Sequence, residues 1–584
     1  MSKSKLFRTA IRGAHLLLIS LLAILPHHAV LANAVDESVR AVFEDFGKPG
    51  EPGVSVLVVK NGEVQHSFHS GLADVGADLA IADDSVFNVG SISKQFTVFG
   101  ILLLRDEGRL SLSDDVRTYI PELPDFGVTI TLEHLARHTS GLRSQQYNGL
   151  MGSWTQTDER THSQMLDLIR RQRSLLFEPG TQFAYSNAGT SLLAEVITRV
   201  SGMPFQRFMA ERVYAPLGMA DTFNRGEAAQ IIRNEVHSYY REDGVLKKAV
   251  NPSGVQGYTN VYSTTRDLAK WAANLKTGAV GGPGTVGELM SVTHFPEGVQ
   301  VEHRMGLYAT PYRGYRQFQH TGSDRGYTSY LGWFPDQDLT IIILSNIEGI
   351  DVFRSAYAIA DLYLPGSEGP LVSRPEDSAV ESSSLTLSND QLRSYTGAFW
   401  SDDLGDIRRI SLVNGQLRYV RSPESFSPLV PLGEDRFRLA DAVSPAFVTI
   451  GVSGMEFDDA SGTVGFERVS ADPKHSPSIQ GLEGLYVSDE ISSTYRLSVC
   501  GEEVWLTNAV QDLLIFNPIA PDIYRSNGWF LRSIRVLRDT DGDAFGFSAG
   551  NVGASGIRFI KVTSPHLEEP QFDPCRSVKP NPRG

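Results

Sequence analysis

Cysteine is nearly absent: the 584-residue chain has two, Cys500 and Cys575, both near its C-terminus. Two thiols cannot build a cysteine-based zinc site, and no histidine stands beside them, so the fold has to rest on apolar cores. In an oxidising compartment the pair would form one bridge tying the tail to the last folded unit; the alternative is two separate thiols. Long apolar runs are also missing beyond the N-terminus, which leaves no later segment of the roughly 20 residues that a membrane-spanning helix needs. Basic residues are outnumbered, 53 Lys and Arg against 68 Asp and Glu, for a formal net charge of −15. That balance argues against nucleic acid and anionic lipid as partners, since both select positive surfaces.

The N-terminus is the exception to this acidity. Residues 1–34 carry Lys3, Lys5, Arg8 and Arg12 with no acid, then the apolar run Leu16–Leu25, then small residues at Ala32 and Ala34. This layout predicts a signal peptide over 1–34, with an uncleaved anchor as the alternative. Its removal would take four positive charges away, from −15 to −19, and leave a periplasmic or secreted protein with no attachment to the membrane.

At 41% hydrophobic residues, 584 positions are enough for several cores, and a usual domain takes roughly 100–200. Two stretches rich in Gly, Pro, Ser and acid, residues 366–385 and 471–480, have the composition of linkers. They divide the mature chain into a unit over 35–365, a second over 386–470 and a third over 481–568, with a tail over 569–584. The second and third are copies of one unit. Shifting the sequence by 87 residues places Tyr395, Gly397 and Phe399 on Leu482, Gly484 and Tyr486, and Pro431, Asp435 and Phe437 on Pro518, Asp522 and Tyr524. Each is full of short alternating runs such as Arg409 to Val420 around Asn414-Gly415, a strong hairpin signal, so two small antiparallel β-barrels are expected.

The first unit mixes periods. Val54 to Ser67 reads as a hairpin turning at Asn61-Gly62, Leu339 to Ser345 as a buried strand, and Phe96 to Leu104 as a helix apolar on all sides and ended near Gly108. Strands from both ends of the unit can meet in one sheet. At the head of the buried helix stand Ser91 and Lys94, three residues apart and so one turn apart on one face. A serine hydroxyl is a weak nucleophile until a base takes its proton, and a lysine serves when burial depresses its pKa. The spacing alone says little, since Ser2 and Lys5 share it. A lysine in the first turn of an all-apolar helix, by contrast, must be desolvated and needs a reason to be there. Ser93 projects about 100° away from Lys94 around the helix.

Further along come Tyr185-Ser186-Asn187 ahead of a helical stretch and His320-Thr321-Gly322-Ser323 ahead of a strand. Ser-x-x-Lys, Tyr-x-Asn and Lys/His-Thr-Gly in that order resemble the penicillin-recognising serine hydrolases: class C β-lactamases, D,D-carboxypeptidases and related esterases and D-aminopeptidases, peptidase family S12. His138-Thr-Ser-Gly-Leu142, Pro216-Leu-Gly-Met219 and Ser263-Thr-Thr-Arg-Asp-Leu268 extend the similarity over most of residues 50–350, and the two trailing barrels look like the D-aminopeptidase layout. The resemblance implies a β-lactamase-like α/β catalytic domain, an antiparallel sheet plus a helical subdomain, followed by the two barrels. It implies Ser91 as acylated nucleophile, and Lys94 and Tyr185 as general base and acid. It gives the backbone N–H groups of Ser91 and Ser323 as oxyanion hole, and Asn187, Thr321, Gly322 and Ser323 as substrate contacts.

His320 stands where β-lactamases usually carry lysine. A histidine is mostly neutral at pH 7, which lowers the expected affinity for a free carboxylate and favours short peptides or amides with D- or non-standard residues. An esterase or β-lactam hydrolase is the first alternative and a non-catalytic penicillin-binding sensor the second. The partner is a small peptide or ester substrate, and no cofactor is required. Tyr258-Thr-Asn260 repeats the Tyr-x-Asn form but lies in a loop, so Tyr185 is preferred. His134 and His138, four apart beside Glu133, have a metal-like spacing with no third ligand evident. Asp539-Thr-Asp-Gly-Asp543 reads as a hairpin turn in place of a calcium loop, because Ala544 and Gly550 occupy positions that need glycine and glutamate.

Overall fold

The computed structural model describes residues 35–44, 46–144, 154–155, 158–293, 302–364, 387–402, 404–422, 425–433, 435–440, 446–459, 462–470, 479, 481–508, 513–526, 528, 531–550, 555–562 and 575. The leader over 1–34, the linker over 366–385 and nearly all of the linker over 471–480 and of the tail over 569–584 lie outside them.

The first unit is built on a five-stranded antiparallel sheet. Its strands are β1 (Val54–Lys60), β2 (Glu63–Ser70), β3 (Phe318–Asp324), β4 (Tyr327–Phe334) and β5 (Leu339–Ser345), in the order β3-β4-β5-β1-β2. The two ends of the unit therefore meet at the β1–β5 pair, Val54 opposite Ser345 through Lys60 opposite Leu339. Strand β5 is buried along its whole length, as an uninterrupted Leu-Thr-Ile-Ile-Ile-Leu-Ser run requires. The β1–β2 hairpin turns at Asn61 (φ 54°) and Gly62 (φ 76°), a pair of left-handed residues that matches the twist of its strands.

One face of the sheet packs against Val39 and Phe43 and helix α4 (Val352–Asp361), with Ala356, Ile359 and Ala360 inside. The other face covers the larger core around helices α1 (Ser93–Asp106), α2 (Asn187–Ser201) and α3 (Thr265–Thr277). Every residue of α1 from Ser93 to Leu104 is buried. The Phe96 ring lies 4.7 Å from Trp271 of α3, whose indole N–H donates to Gln95 Oε1 at 2.8 Å, so the helix that leads away from Ser91 is held from several sides. Arg105 sits in its last turn and Gly108 takes φ 69° just beyond it.

The second and third units are closed barrels of eight antiparallel strands each. Gly397–Ser401, Asp406–Val413 and Arg436–Leu439 of the first recur 87 residues on as Gly484–Ser488, Ser493–Cys500 and Ile523–Ser526 of the second. The last two strands have drifted out of that phase: Gly454–Asp459 corresponds to Ala544–Gly550. The barrels share a small core of Ala398, Trp400, Ile407, Ala520 and Ile523. Cys500 and Cys575 are joined by a disulfide with Cα atoms 5.6 Å apart. Asp539 Oδ1 accepts the N–H groups of Asp541 and Asp543 at 3.0 and 2.9 Å, which closes a tight turn between two strands.

The second barrel also grips the catalytic unit. Arg143 Nε donates to Ser555 O at 2.5 Å and its guanidinium lies 3.9 Å from the Glu490 carboxylate, both side chains being buried, while Arg173 faces Asp489 at 3.5 Å.

Candidate active site

The site forms where edge strand β3 meets the turn that opens α1. The short strand Phe87–Asn88 pairs with Val261–Ser263, and Val89 N–H donates to Val261 O at 2.9 Å. Gly90 N–H then donates to Asn88 Oδ1 at 2.9 Å, and Ser329 Oγ on β4 donates to Val89 O at 2.8 Å. Residues 90–92 make a 3-10 turn before the helix proper. Only glycine fits at position 90. Its φ is +53°, and a Cβ there would stand 2.7 Å from Ser323 N on β3. A Cβ on Gly322 would lie 2.0 Å from Val89 O. These two contacts hold the turn that carries Ser91 directly against the Gly322–Ser323 backbone of β3.

Ser91 is partly exposed, whereas Lys94 is fully buried beneath it. Lys94 Nζ donates to Ser91 Oγ at 2.9 Å and to Tyr258 O at 3.2 Å, and it faces the Tyr185 ring with Nζ 4.7 Å from the centroid. Burial drives the Lys94 pKa well below the ordinary lysine value; the Asp324 carboxylate opposes this as the smaller influence. Ser93 is excluded as nucleophile by its task, since its Oγ accepts the Val261 N–H at 3.2 Å.

Tyr185 approaches from across the site, its ring 4.7 Å from Lys94 Nζ and close enough to Ser91 for that side chain to act on its phenol. Burial, helped by Tyr308, raises its pKa, so it stays protonated where Lys94 tends to lose its proton. It is delivered by the start of α2: Ser186 caps that helix by accepting from Ala188 N–H at 3.3 Å, and Asn187 heads it. His320 lies on β3, buried, with Nδ1 donating to Thr321 O and its ring 6.2 Å from that of Tyr185. Burial first and the Lys94 charge second push its pKa down to about 3, so its ring is neutral and Nε2 is the acceptor nitrogen. Thr321, Gly322 and Ser323 follow it along the strand opposite Tyr330, Ser329 and Thr328.

The structure thus brings together Ser91, Lys94, Tyr185, His320 and the Thr321–Ser323 strand, with Asn187 two residues beyond Tyr185 at the head of α2. Tyr258 and Asn260 belong to the same neighbourhood in a different way. Asn260 takes φ 69° and spends its amide on the carbonyls of Ser253 and Val255, both at 2.9 Å, while Tyr258 presents its carbonyl oxygen to Lys94. Asp324 fastens this loop, accepting from Thr259 Oγ1 at 2.5 Å and Asn88 Nδ2 at 3.1 Å. No side-chain pattern in the sequence marks these two roles. Nor does one mark His303 and Tyr308, whose rings stand 5.0 Å apart beside His138 and His320. The two histidines with metal-like spacing have other duties: His134 Nδ1 accepts Thr131 N–H and His138 Nδ1 accepts Ser186 N–H, each at 3.3 Å.

A family model described as Beta-lactamase matches residues 39–364, more than half of the chain. The chain belongs to the beta-lactamase family. Among its relatives is penicillin-binding protein 4* of Bacillus subtilis (strain 168), 27% identical over 68% of this chain and 90% of that protein. The D-aminopeptidase of Brucella anthropi is 25% identical over 91% of this chain and 98% of its own length, both barrels included. The octameric penicillin-binding protein homologue from Pyrococcus abyssi has the same fold, with TM-score 0.51 at 22% identity over 75% of this chain and 99% of its own. This beta-lactamase-family protein is a serine hydrolase with a three-part D-aminopeptidase-like layout.

Proposed function

We propose that the protein is an exported peptidase or amidase that forms an acyl-enzyme on Ser91 and acts on short peptides or amides containing D- or non-standard residues. The observation that carries this reading is the fully buried Lys94 amine bonded to Ser91 Oγ at 2.9 Å, with the Tyr185 ring 4.7 Å from the same amine. Burial pushes the two pKa values apart, Lys94 down and Tyr185 up, which supports Lys94 as base and Tyr185 as acid.

Ser91 Oγ attacks the substrate carbonyl carbon as its proton passes to Lys94 Nζ. The backbone N–H groups of Ser91 and Ser323 hold the oxygen that becomes negative. The C–N bond then breaks, Tyr185 gives its proton to the departing amine, and Lys94 restores the Tyr185 proton. Water attacks the ester, its proton passing to Lys94, and the Ser91 hydroxyl is regained as the acid leaves.

His320 supports amides over β-lactams, because its neutral ring offers a hydrogen-bond acceptor where a lysine would hold a carboxylate. The alignment with D-aminopeptidase of Brucella anthropi over nearly the whole of both chains supports the same choice. Export rests on the layout of residues 1–34. No helix among the described residues is long and apolar enough to cross a membrane. A panel of D- and L-amino acid amides, p-nitrophenyl esters and a β-lactam tests the reading. Amides of D-residues should give the highest kcat/KM; turnover of the β-lactam alone would overturn it.

A further inference from the structure

His138 is buried at 1% exposure, holds φ at +58°, and has no part in the steps above. A non-glycine residue in that conformation is uncommon and strained, so its surroundings must impose it. What they impose is a clamp on Tyr185. The carbonyl of His138 accepts the N–H of Ala184 at 3.0 Å, and its Nδ1 accepts the N–H of Ser186 at 3.3 Å. Both peptide neighbours of Tyr185 are therefore tied to one residue. The imidazole also lies against the tyrosine ring itself, with centroids 4.6 Å apart and planes at 37°. Accepting at Nδ1 fixes the proton on Nε2, so the ring presents a constant shape to the phenol. Behind the clamp the chain is anchored on both sides, by Thr139 N–H to His134 O at 2.9 Å and by Gly180 N–H to Thr139 O at 2.8 Å.

We propose that His138 is the positioning residue of Tyr185, gripping the N–H groups of the residues on either side of it and packing on its ring so that the phenol meets Ser91 Oγ. The proposal rests on the reading of Tyr185 as proton donor. It differs from a core histidine that merely satisfies backbone groups, because all of its effect on rate must pass through the Tyr185 hydroxyl. Removing the clamp lets the phenol drift, and a displacement of about 1 Å at a reacting group can lower the rate roughly 100-fold.

The test is a double-mutant cycle in the full-length protein, with kcat expressed per Ser91 that can be acylated, so that loss of folded protein is divided out. His138→Gly tolerates the positive φ but removes the acceptor and the ring; it should lower kcat about 100-fold with KM within threefold. His138→Asn also tolerates φ and places Oδ1 where Nδ1 stands, and should recover about tenfold of that loss. In a Tyr185→Phe background, where the hydroxyl is already gone, both changes should cost less than twofold. Should His138→Gly not fold, His138→Asn alone decides, with kcat expected about tenfold below wild type and unaffected when Tyr185 is Phe. A slow Tyr185→Phe enzyme on which the His138 changes keep their full effect overturns the proposal and leaves the proton-donor reading standing. A Tyr185→Phe enzyme with wild-type kcat overturns that reading, and the proposal with it.

Discussion

Gly90→Ala is a one-carbon change from which the geometry of the site predicts a large loss of rate. The new Cβ would lie 2.7 Å from Ser323 N, 3.0 Å from Gly322 C and 3.1 Å from Gly322 Cα, all backbone atoms of β3. Ordinary contact needs about 3.5 Å, so β3 has to withdraw from the Ser91 turn by roughly 0.5–1 Å. Alanine at φ +53° adds strain of about 1–2 kcal/mol to an overpacking cost of about 1–3 kcal/mol. The catalytic unit should lose about 2–5 kcal/mol and melt several degrees lower. The larger effect should be on rate. An oxyanion donor works at 2.7–3.1 Å, and loss of one typically costs about 10²–10³ in kcat. Because that donor acts on the transition state, kcat and kcat/KM should fall together while KM stays near its wild-type value. Steady-state kinetics on a D-amino acid amide, corrected for the acylatable fraction, give the answer. A Gly90→Ala enzyme within threefold of wild-type kcat would refute the assignment of Ser323 N–H to the oxyanion hole.

Lys94→Met should abolish turnover and yet raise the melting temperature in calorimetry at pH 7, since folding no longer has to depress a buried amine below its usual pKa; an unchanged or lower melting temperature would show the amine to be well solvated. His320, pushed down to about 3, is neutral in the folded chain while the unfolded chain protonates below about 6.5, so its contribution is nil above that pH and stability falls as pH drops from 6.5 toward 3. At pH 5 the cost is about 2 kcal/mol, and His320→Gln should flatten the acid limb of a urea-midpoint profile by about one proton; an identical limb would contradict the buried neutral ring. Arg143→Met strands the buried Glu490 carboxylate and should destabilise by about 3–5 kcal/mol, most of it recovered by adding Glu490→Gln; additive losses would mean the two are not coupled.

Much of this arrangement is legible in the sequence wherever a local pattern has a local cause. Ser91 and Lys94 stand out because a lysine in an all-apolar helix conflicts with burial, and in the structure the buried amine is bonded to Ser91 Oγ. Asn61-Gly62 and Asn414-Gly415 announce their hairpins because left-handed backbone has few suitable residues. The barrels show through the 87-residue shift as far as Ile450 and Leu537, after which the turns before the last two strands differ in length and remove the phase. What does not show is chemistry carried by the backbone or assembled from distant loops. Tyr258 acts through its carbonyl, which any residue possesses, and so its Tyr-x-Asn spelling misleads. His138 reads as half of a metal pair because neither its positive φ nor its contact with Tyr185, 47 residues later in the chain, is written locally. His303, packed against His138, and Asp324, bonded to Thr259, have no motif of their own.

The central claim is that Ser91 carries the acyl group, and intact-protein and peptide mass spectrometry after rapid acid quench of a turning-over D-amino acid amide or ester tests it most directly. The account predicts an adduct with the mass of the acyl group on the peptide containing Ser91, prolonged in Tyr185→Phe and missing in Ser91→Ala. An adduct of equal yield on Ser91→Ala, or on Ser93 in the wild type, would contradict it.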